Sequence, residues 1–361
     1  MSDASASHFP RDYRSGRDAF VAICGDAGLG VTTRMHPTAR DTNGRPLFLD
    51  VASIGARNAK KALLLISGTH GVEGYFGSGV QTGLLRRGLA KRALKNAKIV
   101  LLHALNPFGF AWDRRVNEDN ADINRNFVDH VHPPANEIYE VLADAIAPRT
   151  LAPPALRKAN AKLGAFARVH GALALQEAIS RGQYRHADGL YFGGARPSWS
   201  AEMLQDVMCE ELVHVERLSV IDFHTGLGAC GAAEMMTEDR PGTEPYARAR
   251  AIWGSLVRSS VAGESLSTPL SGTIDQAMAT WMKGKELTFA ALEVGTAPLR
   301  QVFDALRRDN WLHVHGGLDG PNARAIKAEI RAAFYPDTAA WKASVWKHAE
   351  AAVAAAVATL A

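Results

Sequence analysis

Short apolar runs separated by longer amphipathic segments dominate the hydropathy pattern of this chain. Uninterrupted runs of about four to eight apolar residues are typical of strands that are buried on both faces, whereas helices repeat apolar positions every three or four residues. Five runs have the strand pattern, and they cover residues 47–55, 62–67, 97–105, 217–226 and 286–296. The pattern therefore predicts an α/β fold in which helices cover both faces of a central sheet.

Helical periodicity occupies most of the chain between these runs. It covers residues 77–94, about 152–181, about 197–213, 245–260 and the Ala-rich end 341–361. Residues 130–215 form a long, mostly helical stretch between two predicted strands, opened by HPPANE and interrupted by APRTLAPP. Because no Gly/Ser linker marks a boundary, we expect one catalytic domain over residues 1–361, with 130–215 as a helical insertion or lid within it.

Composition narrows the class of protein. With 361 residues, 47% of them hydrophobic and 22% charged, the chain can bury a large core. The net charge of +4 is spread among acidic residues without basic blocks, so we expect no nucleic-acid partner. Cys24, Cys209 and Cys230 lack C-x-x-C spacing, and neither a signal peptide nor a membrane span is evident. We expect a cytoplasmic protein without membrane contact; a homo-oligomer is left open.

The run at 62–67 ends in Gly-Thr-His-Gly-Val-Glu-Gly, which places His70 and Glu73 just beyond a predicted strand. Ligands of open α/β sheets bind beyond the carboxyl ends of the strands. Gly71 and Gly74 permit a tight backbone path that lets both side chains converge. A His-x-x-Glu pair alone is weak evidence for a metal site, because a chain with 13 histidines contains such a pair by chance about as often as not. The alternative is that His70 is a helix-cap or core histidine.

A second strand ends in the same way. SVIDFHTG places His224 at the end of an apolar run, again followed by Thr-Gly. A hydrolytic zinc site uses three protein ligands with nitrogen or oxygen donors and keeps a fourth position for water. Two strands with similar ends favour a three-ligand metal site of His70, Glu73 and His224 over a lone core histidine.

Two further segments carry candidate chemistry. Residues 105–127 place Arg114, Arg115 and Arg125 among asparagines, and guanidinium groups suit recognition of carboxylates and stabilisation of oxyanions. For any one of these arginines a solvated surface loop is the better explanation, but three in this spacing favour a site. Glu293 ends an otherwise apolar run, so it either pairs with a structural arginine or acts as a general base with a raised pKa.

Taken together, the motifs resemble the zinc carboxypeptidase family, the funnelin metallopeptidases, and within it a bacterial branch of unknown function related to both carboxypeptidases and aspartoacylase-like deacylases. The matching motifs follow the family's order along the chain, and any one of them would be weak alone. They are His-x-x-Glu at 70–73, Asn-Pro-x-Gly-Phe at 106–110, an arginine before Asp-x-Asn-Arg-Asn-Phe at 122–127, Asp-x-His at 222–224, Ser-Gly-Thr-Ile-Asp at 271–275, and Glu293.

The resemblance implies a mixed, mostly parallel sheet of about eight strands between helices and one Zn2+ per chain. It also implies roles for individual residues. The metal ligands would be His70, Glu73 and His224, and Asp122 would orient His70. Glu293 would be the general base, and Arg115 or its neighbour Arg114 would polarise the scissile carbonyl. Asn124 and Arg125 would hold a substrate carboxylate.

The implied function is a zinc-dependent metallopeptidase or amidohydrolase that cleaves an amide or peptide bond next to a free carboxylate, in a small molecule or short peptide. Two features differ from the digestive carboxypeptidases of that family. Thr268 stands near the position where they carry a tyrosine, and the stretch between Arg115 and Asn124 is shorter than the corresponding stretch in them. An N-acyl-amino-acid deacylase is therefore an alternative to a carboxypeptidase. A metal-containing binding protein without turnover is another, while a serine hydrolase is disfavoured because no Gly-x-Ser-x-Gly turn is present.

Overall fold

The computed structural model describes residues 4–318 and 320–360, and within them eight strands form one sheet. The strands are β1 (Val31–Arg40), β2 (Pro46–Gly55), β3 (Lys61–Ile66), β4 (Ala97–His103), β5 (Arg217–Thr225), β6 (Ala233–Thr237), β7 (Val257–Ser259) and β8 (Glu286–Val294). Their spatial order is β1-β2-β4-β3-β5-β8-β6-β7. The central pairs β4–β3, β3–β5 and β5–β8 are parallel, and antiparallel pairs lie on either side of them.

Helices cover both faces of this sheet, so the predicted fold class, a mixed and mostly parallel α/β sheet of about eight strands, is confirmed. The helices are α1 (Tyr13–Asp26), α2 (Gly74–Arg86), α3 (Pro107–Ala111), α4 (Glu137–Ile146), α5 (Pro153–His170), α6 (Ala172–Ser180), α7 (Trp199–Glu211), α8 (Glu244–Trp253), α9 (Ile274–Trp281), α10 (Leu299–Trp311), α11 (Ala323–Phe334) and α12 (Ala339–Ala358). Among the described residues, none of these helices is both long enough and apolar enough to cross a bilayer.

Two helical predictions extended too far. The helix predicted over 245–260 ends at Trp253, and residues 257–259 instead form the short edge strand β7. The helix predicted over 77–94 ends at Arg86, because Gly88 adopts a left-handed φ of 89° that continues the chain in a new direction. The stretch 130–215 contains four of the helices, α4 to α7, as its periodicity predicts; its role as a lid stays a prediction.

Successive residues of the central strands pack on opposite faces of the sheet. Leu63 and Leu65 of β3 join one apolar cluster, while Leu64 and Ile66 join the cluster on the other face. Burial on both faces explains why these strands are continuous apolar runs. Because β3, β5 and β8 run parallel, their carboxyl ends meet at one edge of the sheet, and the candidate chemistry lies there.

Candidate metal centre

The loop after β3 is held in place by close packing against α3. A Cβ atom added to Gly71 would lie 2.0 Å from the backbone of Gly109, and one added to Gly74 would lie 2.5 Å from the ring of Phe110. Both contacts are far shorter than van der Waals distance, so only glycine fits at either position. The two glycines thus serve a close approach of the loop to α3, which fixes the side chains between them.

The structure brings together the three predicted metal ligands. His70 and Glu73 come from the loop and the short 3-10 helix that follow β3, and His224 comes from the end of β5. The Nδ1 atom of His70 lies 2.9 Å from Oε1 of Glu73, and Nδ1 of His224 lies 3.1 Å from both His70 Nδ1 and Glu73 Oε2. The ligand atoms all lie within 4.8 Å of one another, and the three residues are buried.

An aspartate holds the far nitrogen of each imidazole. Nε2 of His70 lies 3.2 Å from Asp122, and Nε2 of His224 lies 2.7 Å from Asp222. An ionised carboxylate only accepts hydrogen bonds, so each Nε2 carries the hydrogen, and Nδ1 of each neutral ring then presents its lone pair to the cluster. Two lone pairs and a carboxylate 3 Å apart repel unless a cation lies among them. The donor set, two imidazole nitrogens and a carboxylate, fits zinc.

The electrostatics of the cluster also favour a bound positive charge. Burial opposes a charge on the His224 ring, but the negative charges of Asp222 and Glu73 raise its pKa well above the usual value. Burial likewise opposes the charge of Glu73, yet the two histidines lower the pKa of that carboxyl below its usual range. The buried acids therefore favour positive charge on the imidazole side of the cluster, which is the sign of charge that a bound metal ion carries.

The two adjacent arginines point to different parts of the molecule. Nε of Arg115 donates to Asp122 at 2.9 Å, and its Nη1 lies 3.4 Å from Glu73. Arg114 instead donates from Nε to the buried Asp309 at 3.0 Å, away from the metal ligands. Of the two arginines left open by the sequence, Arg115 is the one beside the cluster.

Glu293 lies directly beside the cluster because its strand, β8, pairs in register with β5. Its parallel partner in that pairing is His224. Oε1 accepts a hydrogen bond from the backbone N–H of Leu227 at 2.9 Å, and no ion pair among the described residues involves Glu293. The alternative of a structural arginine partner is thus not observed. Burial first, and then the negative charge of Glu73, raise the pKa of Glu293 to about 8.

Asn124 and Arg125, the predicted carboxylate binders, line the same cavity as the metal ligands. Oδ1 of Asn124 accepts from the N–H of Ile274, which leaves its amide N–H groups for a ligand. Arg125 donates from Nε and Nη2 to the backbone carbonyl of Ser180 and from Nη1 to the backbone carbonyl of Asn124. These bonds fix the guanidinium and still leave two of its five N–H hydrogens for a substrate.

Tyr191 is a site residue that sequence reasoning did not single out. Its ring lies between the two site arginines, with centroid distances of 5.2 Å to Cζ of Arg115 and 5.7 Å to Cζ of Arg125. Its backbone has a left-handed φ of 54°, which is uncommon for a non-glycine residue and often marks a functional constraint. No motif in the sequence marks Tyr191, which lies in the segment RHADGLYFGGARPSW within the stretch 130–215.

One cavity of about 500 Å³ is lined by Tyr191 and by the predicted metal ligands, general base and carboxylate binders, together with Arg115. Pockets for small ligands usually measure roughly 300 to 1,000 Å³. Its remaining walls come mainly from α5, α6 and α10, so the stretch 130–215 contributes directly to the cavity. The arrangement can hold a metal, a carboxylate and a ligand of considerable size at once.

A model of the family described as "Protein of unknown function (DUF2817)" matches residues 9–348 of the chain. No curated protein matches the sequence.

Solved structures with similar folds include carboxypeptidases and an aspartoacylase family protein. Bovine thrombin-activatable fibrinolysis inhibitor, in complex with tick carboxypeptidase inhibitor, has 11% identity and a TM-score of 0.47, covering 95% of this chain and 98% of its own. A metallo-carboxypeptidase from Burkholderia cenocepacia has 12% identity and a TM-score of 0.42, covering 90% and 69%. An aspartoacylase family protein from Mesorhizobium loti has 16% identity and a TM-score of 0.39, covering 81% and 68%. Similarity this distant assigns no activity.

Proposed function

This chain belongs to the DUF2817 family, whose function is unknown, and we propose from its own site that it is a zinc-dependent hydrolase. The bond cleaved is an amide or peptide bond next to a free carboxylate, in a small molecule or short peptide. The observation that carries the proposal is the convergence of two imidazole Nδ1 atoms and a carboxylate on one point, with Glu293 and Arg115 beside them.

The protein groups around this point have complementary chemical roles. Zinc held by His70, Glu73 and His224 would supply a Lewis acid that polarises a carbonyl and acidifies water. Glu293 takes the proton from the attacking water and passes it to the leaving nitrogen, and its raised pKa suits a group that both accepts and donates. Arg115, fixed by Asp122, presents N–H donors to the oxyanion that develops on the scissile carbonyl.

Recognition of the substrate falls to Asn124 and Arg125. The amide N–H groups of Asn124 and the two unused N–H hydrogens of Arg125 are forked donors of the kind that bind a carboxylate. Because both residues share the cavity with the metal ligands, a carboxylate bound there would hold the neighbouring amide bond near Glu293.

Metal analysis tests the first part of this proposal. We expect about one zinc per chain after gentle purification, and loss of both the metal and hydrolysis on treatment with a chelator. His224→Ala should bind little zinc, because it removes one of the three ligands. Less than about half a zinc per chain, with hydrolysis that a chelator does not affect, would contradict the proposal.

Replacement of the general base tests whether the protein turns over substrate or only binds it. Glu293→Gln should retain zinc and lose roughly a thousandfold or more in kcat. Glu286→Gln is the matched control, because Glu286 begins the same strand and pairs with Arg217 at the opposite end of the sheet. A binding protein without turnover would behave identically with either substitution.

A short substrate panel separates the two classes of activity. Release of C-terminal residues from short peptides would identify a carboxypeptidase, whereas hydrolysis confined to N-acyl amino acids would identify a deacylase. Substitution of Arg125 by Met should raise KM in either case, because the carboxylate loses a charged partner.

A further inference from the structure

We propose that the substrate carries one large apolar group, either an acyl chain of about eight or more carbons or an aromatic side chain, on the scissile amide. This inference rests on the proposed function and adds the chemical class of the substrate. The group lies in the part of the cavity formed by α5, α6 and α10, beyond the metal ligands.

The walls of this part of the cavity are apolar. Leu163 of α5, Leu175 and Ile179 of α6, and Val302 and Leu306 of α10 all line it. The side chains come from three helices that are separate in sequence, so the apolar surface is a built chamber and not one face of a single helix. A polar substituent placed there would lose its water without gaining a partner.

The polar residues that also line the chamber already have protein partners. Gln176 donates its amide to the carbonyl of Leu266 at 2.8 Å. Asp304 lies 3.4 Å from Arg307 and 3.7 Å from Arg300, and Arg307 also donates to Oδ1 of Asn160. These groups therefore offer little to a charged substituent, whereas the carboxylate-binding donors lie at the metal end of the same cavity. The cavity is thus divided into a polar end and an apolar end.

The mouth of the chamber carries exposed leucines beside one exposed arginine, Arg300, which also lines the cavity and pairs with Asp304. Leu173 and Leu299 line the cavity, although these residues are 66% and 49% exposed to solvent. Exposed leucines on the rim continue the inner apolar surface outward, which suits a group long enough to extend from the metal site to the mouth. At about 30 Å³ for each water-sized group, a cavity of about 500 Å³ holds roughly fifteen non-hydrogen atoms.

Kinetics on a matched panel test the proposal. N-acetylglycine has no apolar group, N-octanoylglycine has one on the acyl side, and N-acetylphenylalanine has one on the amine side. Each buried methylene corresponds to about a fourfold gain, so we expect kcat/KM for one of the two apolar compounds to exceed that of N-acetylglycine by at least about a hundredfold. The compound that gains identifies the side of the amide that occupies the chamber. Equal rates on all three would overturn the inference and leave the proposed hydrolase intact.

A binding measurement keeps the test independent of turnover. Calorimetry with the zinc-loaded Glu293→Gln protein should show N-octanoylglycine or N-acetylphenylalanine binding at least tenfold more tightly than N-acetylglycine. If no compound is hydrolysed but this difference is found, the proposed activity fails and the apolar chamber stands. If all three bind with equal affinity, the chamber does not select an apolar group.

Filling the chamber provides a structural control. Gly164 of α5 lines the cavity, and a Cβ atom added there would meet only the side chain of Arg168 within 4 Å, at 3.7 Å. Gly164→Phe should reduce the preference for the apolar compound over N-acetylglycine at least tenfold. Ala165→Phe is the matched control, because Ala165 is exposed on the same helix and does not line the cavity.

A second variant covers the case in which Gly164→Phe does not fold. Ala172 lines the cavity from α6 and is exposed, so Ala172→Phe should fold and reduce the same preference. An unchanged preference in a folded Gly164→Phe or Ala172→Phe protein would show that the substrate does not occupy the chamber.

Discussion

Asp222 should control the affinity of the metal centre without touching the metal. It is fully buried, accepts a hydrogen bond from Nε2 of His224 at 2.7 Å, and accepts another from Oγ1 of Thr69 at 2.8 Å. These two bonds hold the imidazole in one orientation and one tautomer, with the lone pair of Nδ1 directed at the cluster. Asp222→Asn preserves the side-chain volume but removes the negative charge and replaces one acceptor oxygen with an NH2 group. Either His224 or Thr69 then loses its hydrogen bond, because its donor faces the donor N–H of the new amide.

The size of the effect follows from the bond that is lost. A hydrogen bond to a charged group contributes about 1.5 to 3 kcal/mol net, and 1.4 kcal/mol is a factor of ten. We therefore expect Asp222→Asn to weaken zinc binding roughly ten- to a hundredfold, the range found when outer partners of metal ligands are replaced.

The assay is a competition titration of zinc against a chromophoric chelator, with thermal unfolding measured in parallel. Asp309→Asn is the matched control, because Asp309 is also a buried acid with ion-pair partners, Arg114 and Lys327, but does not contact the metal ligands. It should destabilise the protein by about 3 to 5 kcal/mol and leave zinc affinity unchanged. The reasoning would be refuted if Asp222→Asn bound zinc within twofold of the wild-type affinity, or if Asp309→Asn lost as much zinc affinity as Asp222→Asn.

Three other predictions concern packing, the paired arginines and pH. Gly71→Ala should lower the free energy of unfolding by about 1 to 3 kcal/mol or more through overpacking, while Gly164→Ala in α5 should not lower it; chemical denaturation measures both. Arg114→Met should cost about 1.5 to 3 kcal/mol of stability, because the buried Asp309 loses one of its two ion-pair partners and keeps only Lys327, whereas Arg115→Met should lower kcat/KM about a hundredfold or more. Burial lowers the pKa of His103 from 6.5 to about 4, so the unfolded chain binds the proton more readily and stability falls as the pH drops from about 6.5 to about 4. His103→Gln should remove about 3 kcal/mol of that acid sensitivity in denaturation curves recorded across this range; an unchanged pH dependence would exclude His103 as its source.

The sequence predicts the central strands well and the edge strands poorly, for a physical reason. β3, β4, β5 and β8 are covered on both faces, so they are nearly continuous apolar runs. In β1, by contrast, a single residue of ten is buried, so no apolar pattern marks it as a strand. β6 and β7 have five and three residues, too few for a period to be visible, and they form only by pairing with an existing edge.

The same contrast separates the parts of the site that could be predicted from those that could not. His70 and Glu73 follow one buried strand within a few residues and His224 lies at the end of another, so local sequence was sufficient to propose that they meet. Arg114 and Arg115 are adjacent, and which of them faces the ligands depends on the distant Asp122 and Asp309. The apolar chamber could not be predicted either, because its walls come from three helices whose packing no local pattern specifies.

Strand register is what makes Glu293 part of the site. In β8, Leu292 and Val294 belong to the same apolar cluster as Phe223 of β5, on one face of the sheet. Glu293 therefore points to the opposite face, the one shared by its partner His224, since alternate residues of a strand face opposite sides. A register shift of one residue would place Leu292 opposite His224 and bury the carboxylate among apolar side chains, at the cost of an unpaired charge. The hydrophobic packing that stabilises the sheet thus selects the one register in which an acid–base group lies beside the metal ligands.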